Sequence, residues 1–482
     1  MNTNENNNEV KEQADDVQNV EVSEKSSRKG RPFIIVGVAV AALFGASFVP
    51  WSTLTGGYIK DFNLFGDLFG GSDSPVTAEE VVDPELAKAL AEANSAPKVV
   101  DASETTPKSA DQIKASVSPR VNGEMTFEDY TVNSQGFAHL RQALDEKDSR
   151  PVRIAVIGDS YIEGDILTMD IREKLQDMYG GSGVGYVPAW SHVAGFRTTV
   201  RHKSNGWTEH DIRKNGKEFL KSLAGEYFTA SKGAKATYNG TTKRKHLDKW
   251  DVTRFMFVTP SAGTITVTTD GGEQNFDVSA SDSVQTITVP GSTTMAEVTS
   301  GISGLQSLGV FLDSNTGVLV DNMSLRGNSG ITHRNISVSL AEQMRREVDY
   351  DMIIVEYGIN ALTSQQKDYS GYRKLMERTI ARLKECYPKA DIVMMGIGDR
   401  GQKINGAVQS VPTSQYMVDA QRECARNTGV IFWDTREAMG GENAVVAWRE
   451  KGMINPDYIH LNAKGGEELG RLFVESLMRA LK

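Results

Sequence analysis

Cysteine is almost missing from this chain. The two present in 482 residues, Cys386 and Cys424, lack the spacing of metal ligands, which excludes a cysteine-held metal centre. They either pair in an oxidising compartment or lie buried as separate thiols. A basic surplus is missing too. The formal net charge is −10, which excludes nucleic acid as the main partner, because phosphate binding needs a basic surface. Long apolar runs are missing except for one, and hydrophobic residues make up 39%, so a polytopic membrane protein is excluded. Histidine is scarce, with seven in the whole chain, so few residues can serve as a base near neutral pH. No internal repeat is found.

What is present falls into zones. Residues 1–31 are rich in Asn, Glu, Asp and Lys, with too little apolar surface to offset the entropy of ordering. A disordered tail is expected. Arg28, Lys29 and Arg31 then precede the apolar run Phe33–Val49. With Pro32 and the interfacial Trp51, residues 32–51 read as a transmembrane anchor, and the basic cluster puts the N-terminus in the cytoplasm. The alternative is a cleaved signal peptide, for which the n-region is long and the cleavage pattern poor. Either way the remainder is exported, to the periplasmic side of the inner membrane if the anchor holds. Residues 52–125 read as a spacer: a Phe/Gly patch, a short Ala/Glu helical stretch (VDPELAKALAEA) and Ser/Pro/Lys-rich sequence, with no core pattern.

From residue 126 the texture changes. FEDY suggests a lead-in strand or loop and GFAHLRQALDEK an amphipathic helix. RIAVIGDS, DMIIVEYG, ADIVMMGIG and VIFWD are short buried strands, alternating with helical stretches such as LTMDIREKLQDMYGG and GGEELGRLFVESLMRALK. This predicts an α/β fold with a mostly parallel sheet and helices on both faces. Residues 196–316 interrupt it. TRFMFVTP, GTITVTTDG, VQTITVPG and SLGVFLDS are β-branched and period-2, predicting an all-β sandwich inserted into a domain formed by 126–195 and 317–482.

Sites on open α/β sheets form at the C-terminal ends of the strands. In GDSYIEGD, Ser160 stands where a strand turns toward a helix whose N-terminus favours negative charge, and Gly158 permits the turn. A plain helix cap, seconded by Asp159, explains the same residues. In NPDYIHLNAKG, Asp457 and His460 are three apart before the last helix, the spacing that lets a carboxylate orient an imidazole base for a serine nucleophile. In VEYGINA, Asn360 offers a side-chain amide to a developing oxyanion. In DNMSLRGNSG, Gly327 offers a backbone N–H to the same place, although a tight turn also accounts for it.

Taken in order, Gly-Asp-Ser, Asn-x-x-x-x-Gly, Gly-x-Asn and Asp-x-x-His resemble the four blocks of SGNH (GDSL-like) hydrolases, from about residue 150 to the C-terminus. The resemblance implies a flavodoxin-like fold and a serine hydrolase with no metal or cofactor. It makes Ser160 the nucleophile, His460 the base and Asp457 its orienting carboxylate. The Ser160 and Gly327 N–H groups and the Asn360 amide form the implied oxyanion hole. Ala361 departs from the pattern where the family often has Asp. GDSYIEGD with MYGGSGVGYVP, and WDTREAMGG with DYIHLNAKG, are similar to extracytoplasmic SGNH esterases that remove O-acetyl groups from peptidoglycan. Those carry a β-sandwich akin to a carbohydrate-binding module after the first block.

An acetylated glycan is therefore the expected substrate. An O-acetyltransferase with the same residues, or a non-catalytic glycan-binding envelope protein, stands as the alternative. Asp399 and Arg400, after ADIVMMGIG, are candidates for binding substrate at the site mouth, or for a structural ion pair. The insertion aromatics Trp207, Tyr227, Phe228, Tyr238 and Trp250 either stack on sugars or fill a core. Nothing in the sequence fixes the oligomeric state.

Overall fold

The structure, a computed structural model, describes residues 84–95, 119–214 and 218–482. All of these belong to one compact unit, Val76–Lys482. The expected tail 1–31, the expected anchor 32–51 and most of the spacer 52–125 lie outside the described residues. Among the described residues, no helix is long and apolar enough to cross a membrane.

Two pieces of the spacer are described, residues 84–95 and 119–125, and both depart from the expectation of no core, Met125 of the second being buried. Helix α1 (Pro84–Ser95) carries Leu86, Ala89 and Leu90 on one stripe. Leu86 and Ala89 are buried and Leu90 packs on the same core. A Cβ on Gly371 would come within 2.7 Å of the Leu90 Cδ2, so that glycine admits the helix.

Six strands form the central sheet: β1 (Glu128–Asp129), β2 (Val152–Gly158), β3 (Val318–Ser324), β4 (Met352–Glu356), β5 (Asp391–Met395) and β6 (Ile431–Trp433). Their order is β3-β2-β4-β5-β6-β1, parallel throughout except for the edge strand β1. Buried on both faces, the inner strands read as unbroken apolar runs. Alternate residues serve opposite cores. Ala155 and Ile157 pack with α5 (Ser370–Cys386) and α6 (Ser414–Thr428). Ile154 and Val156 pack with α2 (Ala138–Asp145), α3 (Thr168–Tyr179) and α7 (Ala463–Leu481). A short helix between β3 and β4, Val338–Met344, is α4 and joins the first of these cores.

Between β2 and β3 the chain builds a second, nine-stranded antiparallel sheet. A sandwich was expected here, and the strands join in one continuous hydrogen-bond ladder. Its hub is Glu226–Asn239, one edge of which pairs with Arg201–Asp211 throughout. Its other edge pairs first with Gln306–Asp313 and then with Met295–Ser300. A strand that changes partner along one edge lets a sheet turn a corner without breaking. The sheet also starts earlier than residue 196, because Gly185–Val187 pairs with Gln306–Asp313. The aromatics Trp207, Tyr227, Phe228, Tyr238 and Trp250 are all buried, which places them in cores rather than on a ligand-facing surface.

A buried ion network joins the two sheets. Arg153 on β2 meets Asp321 on β3 at 2.7 Å and also Asp313, which Arg254 reaches at 2.8 Å. Asp321 also accepts from the Tyr350 hydroxyl at 2.9 Å and from the Tyr186 N–H at 2.9 Å. Buried ion pairs contribute little net stability, but they fix register, since any slip strands a buried charge.

Candidate active site

Four loops meet at the C-terminal edge of the central sheet. The first follows β2. Gly158 ends that strand where an added Cβ would lie 2.8 Å from the Glu356 carbonyl oxygen, so the backbone can pass only as glycine. Ser160 follows two residues later. Helix α3 begins only at Thr168, after a short 3-10 turn at Glu163–Asp165, so Ser160 is not at a helix N-terminus as expected.

The last loop joins the helix Ala444–Glu450 to α7. Ile454 and Leu461 pair as an isolated antiparallel bridge, and the Asn455 N–H donates to the His460 carbonyl at 2.8 Å. The enclosed turn holds Tyr458 at φ +55°, a left-handed conformation uncommon for a tyrosine and of the kind found at functional turns. The Gly401 N–H donates to the Tyr458 carbonyl at 2.9 Å, tying the turn to the Gly401–Ile404 hairpin strand. The Asn462 side chain then caps α7 by accepting from the Gly465 N–H at 3.1 Å.

This scaffold brings Asp457, His460 and Ser160 into one line. Asp457 Oδ2 accepts from His460 Nδ1–H at 2.7 Å. With that nitrogen protonated, Nε2 is the acceptor and takes the Ser160 Oγ–H at 2.9 Å. Asp457 Oδ1 accepts the Ile459 and His460 N–H groups at 2.9 and 3.1 Å. Burial alone would raise the Asp457 carboxyl. The His460 imidazole and the two N–H groups outweigh it and hold the carboxyl below the usual range, so it is an anion at neutral pH.

Gly327 lies in the turn after β3 at φ +73°, and Asn360 follows β4. The two loops touch. Asn360 Nδ2 donates to the Asn328 carbonyl at 3.2 Å and to Asp159 Oδ2 at 2.7 Å. Both amide protons therefore have protein acceptors, and to hold an oxyanion Asn360 has to exchange one, the longer bond to Asn328 being the easier to give up. Asp159 is fully buried. Burial pushes its carboxyl up to about 7 against the Tyr161 N–H, His460 and Asn360, which favour the anion. The neighbouring Glu356 is raised further, first by burial and then by Asp159.

Asp399 does not line the site mouth. Its carboxylate is buried and accepts from the Ser410 hydroxyl at 2.7 Å, the Val445 N–H at 3.0 Å and Arg436 at 3.1 Å. It is the structural ion pair, holding the Gly401–Ile404 hairpin and the helix Ala444–Glu450 together. Arg400 is half-buried and reaches back to the Ile359 and Leu362 carbonyls at 3.4 Å, at the base of the Asn360 loop. Sequence reasoning missed the Glu163 cluster beside Ser160. Glu163 is buried and paired with Arg326 and with His192 Nε2 at 3.0 Å. Its one visible signal was an acid three residues after the serine.

A serine, an imidazole and a carboxylate in hydrogen-bonded sequence, above a parallel sheet and beside amide donors, define a serine-hydrolase site. Residues 293–467 match the GDSL-like lipase/acylhydrolase family. That match covers about a third of the chain and begins C-terminal to the loop that carries Ser160. Among solved structures it is similar to a peptidoglycan O-acetylesterase at 22% identity, with 74% of this chain and 99% of that chain covered and a TM-score of 0.62. A family two carbohydrate esterase from Clostridium thermocellum is similar at 11% identity, over 57% of this chain and 99% of that one, with a TM-score of 0.26. A Bacillus subtilis protein follows at 14% identity over 58% and 90%, with a TM-score of 0.29. No curated protein sequence matches the chain.

Proposed function

We propose that this protein is a serine esterase that removes O-acetyl groups from cell-envelope glycan, peptidoglycan first among them. The observation that carries the reading is the Ser160–His460–Asp457 relay, with spacings of 2.9 and 2.7 Å. The shared fold with a peptidoglycan O-acetylesterase supports the choice of substrate.

Ser160 Oγ attacks the acetyl carbonyl carbon while its proton passes to His460 Nε2. The tetrahedral oxyanion is held by the Ser160 and Gly327 N–H groups and by the Asn360 amide, released from Asn328. As the carbon–oxygen bond to the sugar breaks, His460 gives its proton to the leaving sugar oxygen. Water then attacks the acetyl-enzyme with His460 again as base, and acetate leaves as Ser160 regains its proton. The His460 and Asp457 side chains are 27% and 42% exposed, so solvent reaches the relay and hydrolysis is favoured over transfer to another sugar. The nine-stranded sheet would present the polymer, and an anchor at 32–51 would confine the enzyme to the exported face of the inner membrane.

The test is acetate release by the purified full-length protein from O-acetylated peptidoglycan and from the same material de-acetylated with base. Acetate is expected from the first alone and not with Ser160→Ala. Equal release by wild type and Ser160→Ala defeats the proposal.

A further inference from the structure

Beside the relay lies a cavity that the acetyl chemistry does not use. It opens to solvent and is lined by Glu163, Tyr186, Trp190, His192 and Arg197 among others. One wall starts three residues past the nucleophile, where the Glu163 N–H donates to the Ser160 carbonyl at 3.4 Å. The other wall is the strand Gly185–Val187 and the segment after it, so the cavity lies at the seam of the two sheets.

The charges around it cancel internally. Glu163 is paired with Arg326 and His192. Asp165 is paired with Arg172 at 2.7 Å and with Arg197 at 3.3 Å. A charged ligand would have to break one of these pairs, whereas an uncharged polar ligand would not. Hydrogen-bonding capacity is still left over. The Tyr186 hydroxyl is buried, lines the cavity and has no partner among the described residues. Glu226 lines it as well, and burial, then Glu209 and Asp211, push its carboxyl up, so it can donate as well as accept.

Ring surface is at hand too. The Trp190 and His192 rings lie 6.1 Å apart, and the His192 side chain is 52% exposed. Phe196, 54% exposed, lies over Gly164, where a Cβ would sit 2.3 Å from its ring. Ring faces beside unspent donors and acceptors suit a sugar, which has C–H faces and hydroxyl edges.

We propose that this cavity is a subsite for a neutral sugar residue of the glycan, adjacent to the residue whose acetyl group reaches Ser160. The proposal rests on the glycan-esterase reading above. It makes the nine-stranded sheet part of substrate recognition at the active site, through Tyr186 and the segment that follows it.

The test uses full-length Trp190→Ala and the conservative Tyr186→Phe. Both should hydrolyse a small aryl acetate at nearly the wild-type rate. On O-acetylated peptidoglycan fragments each should lose kcat/KM, mostly through KM, by about tenfold for Trp190→Ala. Calorimetry of chitotriose with Ser160→Ala should detect binding, weakened by about the same factor when Trp190→Ala is added. Glycan kinetics unchanged in both variants, with chitotriose binding insensitive to Trp190, overturn the subsite. That result leaves the esterase reading standing, whereas that reading fails on its own if wild type cleaves the aryl acetate but not the glycan ester.

Discussion

Replacing Asp457 by Asn tests the relay in a way set by the surrounding backbone. Asp457 Oδ1 accepts two N–H groups, from Ile459 and His460, while Oδ2 faces His460 Nδ1. An Asn side chain has to keep its carbonyl oxygen toward the two N–H donors, so its NH2 is turned toward Nδ1. Nδ1 then has to accept, the proton moves to Nε2, and Nε2 presents a donor to Ser160 Oγ instead of a lone pair. The base is lost although every heavy atom stays in place. The expected fall in kcat is about 10³–10⁴, or roughly 4–5.5 kcal/mol.

Asp457→Ala should be milder, about 10²–10³, because the Asp457 side chain is 42% exposed and water can take its place at Nδ1. The assay is initial-rate hydrolysis of an aryl acetate between about pH 6 and 9, with circular dichroism to show an unchanged fold. An Asp457→Asn enzyme within about tenfold of wild type, or one faster than Asp457→Ala, would refute the reasoning.

Three further outcomes are expected. Asn360→Ala should lower kcat by about 10²–10³ with little change in KM in the same assay, as for loss of one oxyanion donor. Asp159 titrates near 7 when folded, above its unfolded value, so its contribution to stability is full at low pH and fades as pH rises through about 7. Asp159→Asn should therefore flatten the fall in Tm between about pH 4 and 7, as read by thermal unfolding across that range. Phe473 is fully buried on α7, edge-on to Trp433 at 5.2 Å and to Phe127 at 5.4 Å. Phe473→Ala should cost about 3–5 kcal/mol in urea unfolding.

The central sheet was legible because inner parallel strands are apolar on both faces, and RIAVIG or MIIVE can hardly be read otherwise. The four polar loops were legible because chemistry needs particular residue types at fixed spacing. Strand β3 was not. VLVDNMS carries Asp321 and Asn322, which look like surface residues, yet Arg153 and Tyr350 satisfy the one and the Ile162 carbonyl and Thr168 the other. The strand Arg201–Asp211 was hidden in the same way, as a largely polar strand with few buried positions.

The two readings of Asp399 could not be separated in the sequence because its partners, Arg436 and Ser410, converge only in the folded chain. The α1 stripe was overlooked because three apolar residues mean little until Gly371 leaves room for them. In each case the deciding partner is distant in sequence.

The central claim is that Ser160 is a nucleophile activated by His460. Treating the purified protein with a fluorophosphonate probe and mapping the adduct by mass spectrometry tests it most directly. A single adduct on Ser160 is expected, with the labelling rate collapsing in His460→Ala. An active protein that is labelled elsewhere, or not at all, would contradict it.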